Sequence, residues 1–140
     1  MHNFVFEQFK KGLNLADKEG KKIKILFCGL AFKGNPETGD IRNSSSVEIT
    51  KKFREDTFEL HGYDAVASSE EIESIGLIYH DINKDFNAFD AVLFLNNHIK
   101  FQKINPFNMV SEMKENPIIF DGWNLFQGKE VLSVKPSIYI

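Results

Sequence analysis

The chain has 140 residues, a net charge of −3, 42% hydrophobic and 26% charged residues, which suits one globular domain able to bury a core without staples. With no basic excess it is not a bulk nucleic-acid binder, and one cysteine excludes an internal disulfide or a cysteine-rich metal site. No apolar run nears the ~20 residues of a membrane span, and the amino terminus lacks a signal-peptide layout, so the cytoplasm is the expected compartment.

Fourteen phenylalanines predict an aromatic core. Phe4, Val5, Phe9, Leu13 and Ala16 form an apolar stripe on a helix from Asn3 to about Lys18, with Gly20 as its expected stop. This helix either packs on the sheet or ends an element lying upstream. Alternating Ile23, Ile25 and Phe27 make a first strand of Lys22–Cys28. Ser44, Ser45 and Ser46 offer caps for a helix to about Arg54, with Val47, Ile49, Thr50 and Phe53 inward. Thr57–Tyr63 reads as a second strand ending at Asp64, and Ser68 or Ser69 before Glu70 and Glu71 starts a short helix closed by Gly76. Leu77–Tyr79 is a short strand and Asp85–Phe89 a turn or short helix. The run Ala91–Leu95 is apolar throughout, as a strand covered on both faces would be. Ile99–Ile104 forms a helical turn, and Asn105 caps a helix from Pro106 to Lys114. Ile118–Phe120 is a further strand, and the tail from Val131 to Ile140, interrupted by Pro136, is at best an edge strand. Strands alternating with helices predict an α/β fold: a three-layer α/β/α arrangement around a mainly parallel, Rossmann-like sheet of about five to six strands.

Gly29-Leu30-Ala31-Phe32-Lys33-Gly34 nearly matches two phosphate motifs and satisfies neither. A P-loop requires Lys then Ser or Thr after the second glycine, where Asn35 and Pro36 stand. A dinucleotide fingerprint requires the helix to open inside the motif, whereas here it waits until about Ser45. Lys33 and Arg42 share this strand-end segment and could hold an anion as point charge and planar fork, although composition alone favours solvated charge or an Arg42–Asp40 pair. Cys28 falls inside a buried strand and reads as a small hydrophobe. Asp64 and Asp121 follow strands and read as turn or cap residues before ribose acceptors. His98 reads as a polar loop residue, Trp123 as a pocket rim or a packing residue, and His2, His61, His80 and His98 show no metal-ligand spacing.

GLAFKGNPETGDIRNSSS resembles the start of the C-terminal domain of the UDP-glucose/GDP-mannose dehydrogenase family. The shared positions are Gly29, Ala31, Phe32, Lys33, Asp40, Arg42 and Ser44. The resemblance continues in order through Gly62–Ala65, the segment NNHIKFQKIN and Phe120–Asn124, covering about Ile23 to Leu125.

This resemblance implies the substrate-nucleotide-binding domain of an NAD-dependent nucleotide-sugar 6-dehydrogenase, which oxidises a UDP-sugar to the uronic acid. Phe32 and Lys33 would contact the sugar nucleotide, and Arg42 would reach the pyrophosphate of NAD. Residues 1–20 would then be a helix ending the inter-domain linker and residues 21–140 the domain, with the NAD-binding Rossmann domain and central region as partners. Nucleic acid and membrane are not expected partners. Three departures stand out: Trp123 replaces the family's arginine, Ala65 replaces its proline, and nothing corresponds to its catalytic cysteine, for which Cys28 is misplaced. The 140 residues alone are therefore expected to lack dehydrogenase activity. The alternative is a stand-alone α/β binding or regulatory module sharing the fold.

Overall fold

The apolar strand segments assemble into one six-stranded sheet. The computed structural model describes residues 2–30, 44–54, 57–126 and 138–139. In chain order the elements are α1 (His2–Leu15), β1 (Ile23–Cys28), α2 (Ser45–Lys51), β2 (Phe58–Tyr63), α3 (Ser69–Ser74) and β3 (Ile78–Tyr79). β4 (Ala91–Phe94), α4 (Ile99–Gln102), α5 (Pro106–Glu112), β5 (Ile118–Asp121) and β6 (Ile138–Tyr139) follow. The strand order is β3-β2-β1-β4-β5-β6, and every pairing is parallel. That is the doubly wound order of Rossmann folds. β4 and β5 are buried at every position, because helices and connections cover both faces of the sheet. The tail contributes the edge strand β6, in register with Ile118 and Ile119.

One face of the sheet presents Ile23, Ile25, Phe27, Leu60, Leu93 and Ile118 to Val5, Phe9 and Leu13 of α1 and Val47 and Ile49 of α2. Phe53, just past α2, lies 5.0 Å ring to ring from each of Phe6, Phe9 and Phe27. Burying the rings of Phe9, Phe27 and Phe53 contributes about 1.5–3 kcal/mol each, before the smaller gain from ring-to-ring contact. Phe4 does not join the expected stripe and is 54% exposed. α1 ends at Leu15 rather than Lys18, and the left-handed residue that stops it is Asp17 (φ 57°), three residues before Gly20. The reason is a two-bond terminator: Lys18 N donates to Leu13 O and Asp17 N to Asn14 O. The turn sends Lys18 back into the protein, where Nζ meets Asp90 Oδ1 at 3.0 Å, both side chains being buried. α2 likewise stops at Lys51, short of Arg54.

The three predicted caps resolve to single residues. Ser44 accepts from Val47 N, Ser68 and Glu71 close a reciprocal capping box, and Asn105 accepts from Phe107 N and Asn108 N ahead of Pro106.

The second face packs Leu26, Cys28, Val92, Phe94 and Ile119 against Phe86, Phe89, Phe101, Met109 and Val110. His61 is buried there, its ring edge-to-face with Phe89 at 5.1 Å. Its Nε2 lies 2.6 Å from Glu59 Oε2, and Nδ1 has no hydrogen-bond partner among the described residues. Burial pushes the His61 pKa down, against the pull of Glu59, while the His61 bond chiefly lowers that of Glu59. A depressed folded-state pKa contributes stability that is whole above the unfolded value and is lost as pH falls through the folded one. Melting temperature is therefore expected to hold from pH 8 to about 6.5 and to decline below it. His61→Phe should flatten the first part of that decline in a pH series of thermal melts, and an unchanged decline would contradict the assignment.

Candidate functional site

In an open α/β sheet ligands bind beyond the carboxyl ends of the strands, where the strand order reverses. Here β1 connects to β2 on one side and borders β4 on the other, so the reversal lies between β1 and β4. Cys28 is level with Phe94, and Phe94 with Asp121. Gly29–Leu30, Leu95–Asn96 and Gly122–Trp123 therefore leave three neighbouring strands at one height. Gly29 adopts φ +99°, and a Cβ there would sit 2.5 Å from the Asn96 side-chain carbon. The two chain exits approach this closely because Gly29 has no side chain. Asn96 is in turn held by accepting from His98 N at 3.1 Å.

Two buried side chains fix the ends of the segment that runs between β1 and α2. Asp64 Oδ1 accepts from Leu30 N at 2.7 Å, while its Oδ2 accepts from Val66 N and Ala67 N, both at 2.8 Å. Ser44 Oγ donates to Leu30 O at 2.6 Å and accepts from Val47 N at 3.1 Å. Both peptide groups of Leu30 are thus satisfied by side chains, one from the end of β2 and one from the cap of α2. The backbone entering and leaving residues 31–43 is pinned at the reversal point. Phe32, Lys33 and Arg42 lie within 31–43, outside the described residues, as does Asp40.

The remaining candidates have definite roles. Cys28 is wholly buried, and burial first, then the Asp64 charge, pushes its thiol well above the ordinary range. A thiol held protonated is no nucleophile, so Cys28 is a packing residue. Asp121 organises the turn after β5, accepting from Trp123 N, Leu125 N and Phe126 N at 3.3, 2.9 and 3.1 Å. Both strand-end acids are turn-formers, as their positions suggested. His98 caps α4, its Nδ1 accepting from Lys100 N at 3.1 Å. Trp123 stands 48% exposed at the carboxyl edge of the sheet.

Among the described residues, no group of three or more His, Cys, Asp or Glu could hold a metal ion, and no helix is long and apolar enough to cross a membrane. A groove of about 660 Å³ lies on the second face between residues 82–86 and the helices α4 and α5. No strand-end residue of β1, β4 or β5 lines it, and of its acids Glu112 accepts from Phe86 N and Asp85 from Asn87 N.

The Ser44 cap is a local signal visible in the chain. Its second bond, to Leu30, and the Asp64–Leu30 bond join residues 14 and 34 positions apart. No local pattern announces either.

Residues 26–128 match the model of the UDP-glucose/GDP-mannose dehydrogenase family, UDP binding domain. Over 133 residues the chain is 29% identical to UDP-glucose 6-dehydrogenase YwqF of Bacillus subtilis (strain 168), covering 92% of this chain and 29% of that protein. Over 124 residues it is 31% identical to the UDP-glucose 6-dehydrogenase of Bos taurus, covering 77% of this chain and 24% of that one. The chain thus spans less than a third of the length of these relatives. Among solved structures, the UDP-N-acetyl-mannosamine dehydrogenase Cap5O from S. aureus shares the fold, with a TM-score of 0.66 at 21% identity over 99% of this chain and 29% of that one.

Proposed function

Because the chain belongs to the UDP-glucose/GDP-mannose dehydrogenase family, we propose that it holds the nucleotide part of the substrate for an NAD-dependent nucleotide-sugar 6-dehydrogenase. The observation that carries this reading is the family match itself, which runs from β1 past β5 and spans the whole ligand edge. The anchoring of Leu30 and Ser44 supports it, since a binding segment is most effective when its ends are held by packed, hydrogen-bonded elements.

In this reading Phe32 and Lys33 form one wall of the nucleotide site, the lysine as a point charge for the diphosphate. Arg42 reaches toward the pyrophosphate of NAD, which another part of the full-length enzyme supplies together with the catalytic cysteine. α1 is the last helix of the inter-domain linker, packed onto the domain it introduces.

The test is saturation-transfer NMR of UDP against the 140-residue chain. Transfer to UDP protons is expected, and Lys33→Ala should weaken binding by about tenfold or more, the effect of removing one hydrogen bond to a charged group. The same protein should form no NADH from NAD and UDP-glucose. If UDP receives no transfer, the chain is a module that shares the fold without the ligand.

A further inference from the structure

We propose that the groove beside α4 and α5 binds a small organic anion, its apolar body resting on Phe86 and Met109 and its acidic group beside the ammoniums of Lys84, Lys100 and Lys103. The groove exists because of how the chain crosses the sheet. A connection between parallel strands usually carries a helix, but residues 80–90, which lead from β3 to β4, contain none. A helix with its side chains is about 10–12 Å across. The thinner crossover leaves a trough along α4 and α5.

The walls of the trough are fastened. Phe86 N donates to Glu112 Oε1 and Ala88 N to Glu112 O, both at 3.3 Å, and Lys114 N donates to Phe89 O at 3.0 Å. These bonds tie the crossover to the end of α5. Nearer its start, His80 Nε2 lies 2.7 Å from Asp85 O, which folds the segment on itself. The floor belongs to the core: Ile82 and Phe86 are buried and Met109 wholly so. At about 660 Å³ the space falls within the ~300–1,000 Å³ of small-molecule sites, which join an apolar lining to a few polar groups.

Charge selects the class of ligand. Lys84, Lys100 and Lys103 line the groove with two acids, Asp85 and Glu112. Both acids are turned to the chain itself: Glu112 holds Phe86 N, and Asp85 Oδ1 accepts from Asn87 N at 3.0 Å with His80 Nε2 3.6 Å away. Lys84 and Lys103 are exposed, and Lys100 Nζ lies 5.6 Å over the Tyr63 ring. Among the described residues none of the three forms an ion pair. A cleft with surplus charge of one sign concentrates ligands of the other. With an apolar floor below the lysines, the favoured ligand is an anion carrying a hydrophobic body.

The test uses the isotope-labelled 140-residue chain, titrated with naphthoate, with the cation naphthylmethylammonium and with inorganic phosphate, following amide NMR shifts. Naphthoate is expected to shift residues 82–86, 100–105 and 108–112 saturably with a Kd of about 1 mM, ordinary for a ligand of its size. The cation, and phosphate, which lacks the body, should bind at least about tenfold more weakly. Lys84→Gln and Lys103→Gln should each weaken naphthoate about threefold, as loss of one exposed charge contact does. Both side chains are exposed, so the variants keep the fold. Equal binding of the cation, or of naphthoate to the double lysine variant, overturns the inference. So does equal binding of phosphate, because the apolar floor would then contribute nothing. Shifts confined to Gly29, Asn96 and Gly122 at the strand ends, or shifts that never saturate, overturn the site itself. UDP binding is measured separately and stands or falls without this result.

Discussion

Replacing Asp64 with alanine is expected to lower the free energy of unfolding by about 3–5 kcal/mol, because three backbone N–H groups lose their acceptor and the donors of Leu30 and Ala67 are buried. Against the ~5–15 kcal/mol of a typical domain that is a large share. Asp64→Asn keeps one carbonyl oxygen and so one set of these bonds, and should lose about half as much. Urea unfolding measures the total, and amide hydrogen exchange at Leu30, Val66 and Ala67 locates it. Since Asp64 holds Leu30, the residue that immediately precedes residues 31–43, UDP affinity should fall in Asp64→Ala even under conditions where the chain stays folded. A loss below 1 kcal/mol would show that the carboxylate does not organise this edge.

The second large effect lies at the opposite end of the strands. Asp90 precedes β4, pairs with Lys18 through Oδ1 at 3.0 Å and accepts from Lys24 N through Oδ2 at 2.9 Å. Asp90→Ala takes a buried counter-charge from the Lys18 ammonium and the acceptor from Lys24 N, and should cost about 3–5 kcal/mol. Lys18→Met removes the charge and keeps most of the packing volume, while Asp90 retains Lys24 N. Its expected cost is smaller, about 1–3 kcal/mol. The double variant should differ from the sum of the singles by more than ~0.5 kcal/mol, as coupled neighbours do. Unlike Asp64→Ala, neither change touches the ligand edge, so folded Asp90→Ala should bind UDP as the parent does. Additive denaturation data would show that the two groups act independently.

These two acids mark the boundary of what the chain reveals by inspection. Strands and helices are legible because their causes are local: alternation in Ile23, Ile25 and Phe27, an apolar run at Ala91–Leu95, and caps at Ser44, Ser68 and Asn105. Where two local signals compete, inspection favours the more familiar one. Gly20 looks like the natural helix stop, yet the chain turns at Asp17, and that turn sends Lys18 back to Asp90. The partner it meets lies 72 positions away. The same distance problem hides Asp64, whose position at the end of β2 suggests only a local turn, while its Oδ1 accepts from Leu30 N at 2.7 Å. The carboxyl edge of a parallel sheet was foreseeable from the alternation of strands and helices. Its anchoring required the three-dimensional pairing of β1 with β2.

The hydroxyl of Ser44, 2.6 Å from the carbonyl of Leu30, has a consequence for how such a domain can diversify. It fixes the gap that residues 31–43 must bridge, whatever their composition, so β1 and α2 keep their places when the stretch between them changes. Closing a longer stretch across the same gap is entropically mild, about 0.6 kcal/mol for each doubling in length. One serine thereby sets the two endpoints between which the intervening residues must fold, and ties the start of α2 to the exit of β1.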